Sequence, residues 1–135
     1  MSDEVYERGL RIRREVVGDE YVDRAFAQVE ADGFGADFQR LVTEYCWGAS
    51  WGREALSRRD RSLLNLAILG TLGRSTEFKT HVRGALGNGC TPAEIEDALT
   101  QLAIYAGVPA GMEAFRLARE VLEAEGALDT KASGV

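Results

Sequence analysis

The chain has 135 residues, 45% of them hydrophobic, and sets 22 Asp and Glu against 16 Lys and Arg for a net charge of −6. That acidic balance argues against a broad footprint for nucleic acid or an anionic membrane. No run approaches the ~18 apolar residues of a membrane span, and the charged N-terminus lacks the apolar stretch of a signal peptide. A cytoplasmic protein with no nucleic-acid and no membrane partner is the expectation. Length suits a single core, about 68% of the unfolded surface being buried at this size. One domain is expected over residues 1–128, with a small polar tail over 129–135. Cys46 and Cys90 lie 44 residues apart, in no metal or redox spacing, so they read as ordinary reduced thiols and no metal is expected.

In chain order, the first predicted helix runs over 3–17, with Val5, Leu10, Ile12, Val16 and Val17 among charges and Gly18 as its stop. Asp19 is the expected cap of a second, over 20–30, whose apolar face is Val22, Phe26 and Val29. Asp32-Gly33 breaks it, and a third helix over 36–47 follows, with Phe38, Leu41, Val42 and Tyr45 read as a packing stripe. Gly48 and Gly52 are expected to loosen the chain after it. Trp47, Trp51 and Arg53 around that loop have two readings: rings and a guanidinium walling a pocket for a carboxylate, or rings plugging a core.

Ser57-Arg-Arg-Asp60 has the capping-box form and opens a helix, Leu63 to Leu69, that is apolar on nearly every side. So small a protein has few helices to surround it, so part of its covering is expected from another subunit. Gly70 and Gly73 end or thin that helix. Next, Arg74, Glu77 and His81 fall on one predicted helical face, so a cation, a carboxylate and the only imidazole of the chain converge within two turns. Such a face either does proton chemistry or is a solvated surface. Gly87-Asn88-Gly89 terminates the helix, and Thr91-Pro92-Ala93-Glu94 is a strong start for the next, which reaches Tyr105 before Gly107. Pro109 opens a last helix through Phe115, Leu117 and Leu122 to Gly126. Nothing alternates like a strand. The fold class is all-α, with six or seven helices and no internal repeat.

Several stretches together carry a resemblance: YERGLRIRREVVGDEYVDR near the N-terminus, the Trp47-Gly, Trp51 and Arg53 pattern, SLLNLAIL, EFKTHVR, GNGCTPAEI and QLAIYAGVPA. Over about residues 5–122 the chain resembles the carboxymuconolactone decarboxylase family, in its protocatechuate-degrading branch. The sister alkylhydroperoxidase D-like branch carries two cysteines seven and four residues before the histidine; here those positions are Arg74 and Glu77, so thiol peroxidase chemistry is not expected.

The resemblance implies an alkylhydroperoxidase D-like helical bundle forming a ring, a homo-oligomer of trimer or hexamer type, without a cofactor. It implies loss of CO2 from γ-carboxymuconolactone to give the β-ketoadipate enol-lactone. The electron pair left behind spreads into the lactone carbonyl, so the protein must hold the acid, stabilise an enolate oxygen and supply a proton. His81 is then the candidate general acid or oxyanion donor because imidazole titrates near working pH, with Glu77 orienting it. Arg53 and Arg74 are candidates for gripping carboxylates; Trp47, Trp51, Gln101 and Tyr105 are candidates for lining the site. Arg83 is expected in an interface or a salt bridge. The chain departs from the family pattern at Ala49, at Gly111-Met112 and at Arg116. A diverged enzyme acting on another carboxylated lactone or related acid, and a non-catalytic oligomeric binding module, are the alternatives.

Overall fold

The computed structural model describes residues 3–129, and among them there is no strand. The elements are α1 (Asp3–Val17), α2 (Asp19–Asp32), α3 (Ala36–Val42), a π-helix (Thr43–Ser50), α4 (Arg58–Leu72), α5 (Ser75–Gly87), α6 (Pro92–Ala106) and α7 (Val108–Ala124). The expected C-terminal tail lies, beyond Asp129, outside the described residues. Most boundaries follow local chemistry. Thr91 and Glu94 form a reciprocal capping box, with the Glu94 amide donating to Thr91 Oγ1 at 3.1 Å and the Thr91 amide donating to Glu94 Oε1 at 2.9 Å. Ser57 Oγ accepts from the Asp60 amide at 3.1 Å ahead of α4. Gly107, at φ 112°, separates α6 from α7 in a conformation that glycine alone adopts cheaply. One cap differs from expectation: Gly18 precedes α2, and Asp19 lies inside its first turn, paired with Arg14 at 3.1 Å.

The chain forms two compact units, Met1–Arg61 and Ser62–Val135. In the first, α1 packs on the π-helix around Ile12, Val16, Val17, Val22, Trp47 and Trp51. That approach is backbone on backbone. A Cβ on Gly9 would collide with the Thr43 carbonyl and stand 2.7 Å from the Gly48 nitrogen; one on Gly48 would stand 2.5 Å from the Val5 carbonyl oxygen. Gly48 therefore does not loosen the chain as expected. It is buried, and its missing side chain admits α1.

The expected third helix changes register at Thr43, where the turns widen: the Trp51 amide donates to the Cys46 carbonyl, five residues back, at 2.9 Å. Arg13, buried on α1, holds that junction by donating to Thr43 Oγ1 at 3.0 Å and to Gln39 Oε1 at 2.9 Å, while Thr43 Oγ1 donates to the Gln39 carbonyl at 2.8 Å. The packing stripe reads differently from expectation. Only Val42 reaches the core; Phe38, Leu41 and Tyr45 are exposed.

In the second unit α7 packs on both α5 and α6 over Leu66, Phe78, Val82, Ile95, Leu99, Leu102, Ala114 and Leu117. Glycine again sets the spacing: a Cβ on Gly111 would overlap Ala103, and one on Gly70 would stand 2.7 Å from Leu102 Cδ1. Ser62, fully buried, accepts from Asn88 Nδ2 at 2.9 Å and ties α4 to the end of α5. Within the chain α4 is not buried all round as its sequence leads one to expect, since Leu64, Ile68 and Leu72 face outward.

Replacing Gly9 by Ala is expected to lower the urea midpoint at an unchanged m-value, a loss of about 1–3 kcal/mol or more from overpacking. Gly87→Ala, where a Cβ meets nothing within 4 Å, is expected to leave the midpoint unchanged or raise it.

Candidate active site

Helix α5 carries the only histidine. Its inner face is Phe78, Val82 and Ala85, and His81 flanks that face, half-buried. Burial disfavours the charged ring and pushes its pKa from 6.5 down to about 4, so the imidazole is neutral at neutral pH. This corrects the expectation of an imidazole titrating near working pH. A neutral ring still offers one N–H donor and one nitrogen acceptor, enough to stabilise a developing oxyanion or to relay a proton.

The rest of the predicted cluster is less converged. Glu77 and Arg74 are both exposed. Arg74 is not on the helix: α5 begins at Ser75, and Arg74 is its N-cap at φ −86° and ψ 76°, so the shared-face geometry read from sequence holds for Glu77 and His81 alone. The Arg74 carbonyl accepts from the Phe78 amide at 2.8 Å. Arg83 forms an ion pair with Glu125 at 3.0 Å, a salt-bridge role.

Trp47 and Trp51 stack with ring centroids 5.0 Å apart and an interplanar angle of 29°, both inside the core of the first unit. They are core rings first; the pocket-wall reading of the pair is not what this packing displays. Arg53, after the π-helix, is exposed, and its carbonyl accepts from Arg61 Nη2 at 3.2 Å. Gln101 and Tyr105 stand one turn apart on α6 as predicted, but on an open groove of about 720 Å³. Glu94 and Asp97 line that groove with Leu63, and His81 does not. Two carboxylates beside Gln101 and Tyr105 make it a poor receptor for an anionic acid. Of the three departures from the family pattern, Ala49 is half-buried in the π-helix, Met112 is exposed, and Arg116 is held on the α7 surface by Glu113 at 2.6 Å and Glu120 at 2.9 Å.

Sequence reading missed Arg13, although its signal was present. The buried residues of α1 are Gly9, Ile12, Arg13, Val16 and Val17, so Arg13 falls within the apolar stripe at helical spacing. Its guanidinium also lies 5.6 Å from the centre of the Phe26 ring, and burial lowers its pKa. Among the described residues no group of three or more His, Cys, Asp or Glu is gathered to hold a metal ion, and no helix is long and apolar enough to cross a membrane.

A family model described as the carboxymuconolactone decarboxylase family matches residues 36–120, a span that takes in the π-helix, His81 and the capping box of α6. The chain belongs to this family. It is 37% identical over 124 residues to a 4-carboxymuconolactone decarboxylase of Acinetobacter baylyi, covering 91% of each chain. It is also 36% identical over 118 residues to nitrosuccinic acid decarboxylase npaB of Metarhizium robertsii, covering 87% of this chain and 81% of that one. An uncharacterized 15.0 kDa protein of Paracoccus denitrificans matches less of it, 31% over 86 residues. Both relatives with named activities are decarboxylases, and this family member is a carboxy-lyase. The reading as a non-catalytic binding module is thereby set aside.

The lone imidazole makes a direct check simple. Its proton resonances in NMR are expected to keep neutral-ring positions down to pH 5 and to titrate near 4. Because the folded pKa lies below the unfolded one, the unfolded chain takes up the proton first. Stability is therefore full above pH 6.5 and falls as pH drops toward 4, by up to about 3 kcal/mol. His81→Gln is expected to flatten that part of the stability–pH curve.

Proposed function

We propose that the chain removes CO2 from a γ-carboxylated muconolactone, yielding the enol-lactone of β-ketoadipate, and that His81 is the group that meets the developing charge. The half-buried, neutral imidazole on α5 carries this reading. In the reaction the bond from ring carbon to carboxylate breaks, CO2 leaves, and its electron pair moves through the conjugated system onto the lactone carbonyl oxygen. A neutral N–H donates to that oxygen without first having to give up a proton at neutral pH. Protonation of the ring carbon next to the lactone carbonyl then completes the step, leaving the double bond at the carbon that lost CO2; the electron sink is the substrate itself. Glu77, four residues before His81 on the same helix and open to solvent, is suited to pass a proton from water to the ring. Arg53 and Arg74, both exposed, are the cations this reading assigns to the substrate carboxylates.

Similarity to the nitrosuccinic acid decarboxylase favours a second reading of the same chemistry. A nitro group on the carbon that loses CO2 accepts the electron pair as readily as a conjugated carbonyl does. The shared requirement is an acid whose departing carboxylate sits on a carbon attached to an electron-withdrawing group. In either reading residues 1–128 act as one functional domain, since similarity to the relatives runs through both compact units. The enzyme is proposed to be cytoplasmic and to work as a homo-oligomer, trimer or hexamer.

Mixing the protein with 4-carboxymuconolactone is expected to release CO2, and His81→Ala to slow release by about 10²–10⁴-fold with helical content retained. Turnover of nitrosuccinic acid but not of the lactone moves the assignment to the second reading, and turnover of neither removes both. For carboxylate binding, Arg53→Ala and Arg74→Ala separate the two candidates: the residue that grips substrate shows a raised KM, and the other shows kinetics of the parent enzyme.

A further inference from the structure

Helices α4 and α5 meet at two places that differ in kind. At one, Gly70 lies against the Phe78 ring, where a Cβ would stand 3.4 Å from Cε2. At the other, Asn88 Nδ2 donates at 2.9 Å to Oγ of Ser62, a side chain with no exposed surface. His81 lies between Phe78 and Asn88 along α5. Asn88 follows the last residue of that helix, but its amide still donates to the Gly84 carbonyl at 2.9 Å, so it keeps to the helical path.

The helical wheel puts the two attachments on opposite sides of the histidine. At about 100° per residue, the inner-face residues Phe78, Val82 and Ala85 lie ~40–100° to one side of His81, and Asn88 lies ~20° to the other. Apolar contact is not directional, so the inner face alone resists a small roll of α5 weakly. A buried hydrogen bond is directional, and a partner left unpaired there costs more than the bond contributes. A roll of about 30° moves a side chain at the helix surface by ~3 Å, which is enough to change how much water the imidazole meets. The same roll breaks the bond between Ser62 and Asn88.

We propose that Ser62 and Asn88 are positioning residues for His81: their hydrogen bond fixes the rotation of α5 and holds the imidazole at its half-buried depth. Neither residue is assigned a contact with substrate, and both act through the ring. Depth matters twice. It sets where the ring N–H points, and an oxyanion donor misplaced by an ångström loses most of its effect. It also sets how much water the ring gives up, and so keeps the imidazole neutral. Only the kinetic consequence rests on the decarboxylase reading above.

Asn88→Ala and Ser62→Ala test the pair. Asn88 has φ −88° and ψ 7°, a conformation open to alanine, and Ser62→Ala removes a single oxygen, so both variants are expected to keep the circular dichroism of the parent. As the only histidine, His81 is followed without ambiguity by NMR and by its acylation with diethyl pyrocarbonate. In each variant the ring is expected to titrate above about 4, toward 6.5, and to be acylated several-fold faster at neutral pH. The kcat for CO2 release is expected to fall by about 10–10²-fold with KM little changed. The double variant is expected to move the ring no further than the larger single change, because all three lose the same bond. Thr91→Ala, which removes the α6 cap, is expected to lower the urea midpoint and leave His81 titrating at about 4. A ring that behaves as in the parent in both single variants overturns the proposal. So does an equal shift in Thr91→Ala, which would mark general loosening, or a shifted ring at unchanged kcat. A parent protein that releases no CO2 removes the decarboxylase reading, and the two imidazole readouts then decide this proposal by themselves.

Discussion

Close approach of helix backbones, made possible where a side chain is missing, is the constraint on which both halves of this protein rest. In the first unit Gly9 and Gly48 let α1 lie against the π-helix with carbonyl and amide groups almost touching. In the second, Gly70 and Gly111 let α4 and α7 close on Leu102 and Ala103 of α6. Dispersion falls steeply with distance, so a helix pair at this spacing gains contacts that a bulkier residue would forbid. Short helices need that gain. Each carries too few apolar residues to be stable alone, and tertiary packing supplies what propensity does not.

The same packing sets the chemistry of α5. Phe78, Val82 and Ala85 hold one side of the helix in the core, and His81, next to them on the helical wheel, loses most of its water as a result. Desolvation costs the imidazolium far more than the neutral ring. In the proposed reaction a neutral ring of this kind serves as a fixed N–H dipole for an enolate oxygen. Buried among Thr43, Gln39 and Phe26, Arg13 holds the register change from α3 to the π-helix in place.

The substrate class put forward above takes its cue from two relatives, a 4-carboxymuconolactone decarboxylase and a nitrosuccinic acid decarboxylase. In the proposed reaction the common element is an electron-withdrawing group beside the carbon that loses CO2, which leaves orientation, oxyanion stabilisation and proton supply to the protein. Met112 and Arg116, two of the departures from the family pattern, lie exposed on α7.

Sequence alone determined the helical class, nearly every helix boundary, the capping box at Thr91 and the place of His81 beside Glu77. These are local matters: caps, glycine conformations and 3.6-residue periodicity act over a few residues and are legible in order along the chain. The family motifs were legible for the same reason. Tertiary structure decided what depends on distant neighbours. It buried Arg13, stacked Trp47 on Trp51 in the core, changed the helical register at Thr43, left Phe38 and Tyr45 exposed, and put Gln101 in a groove with two carboxylates. It lowered the pKa of His81 because desolvation depends on how many helices surround a ring, and no spacing along the chain counts them.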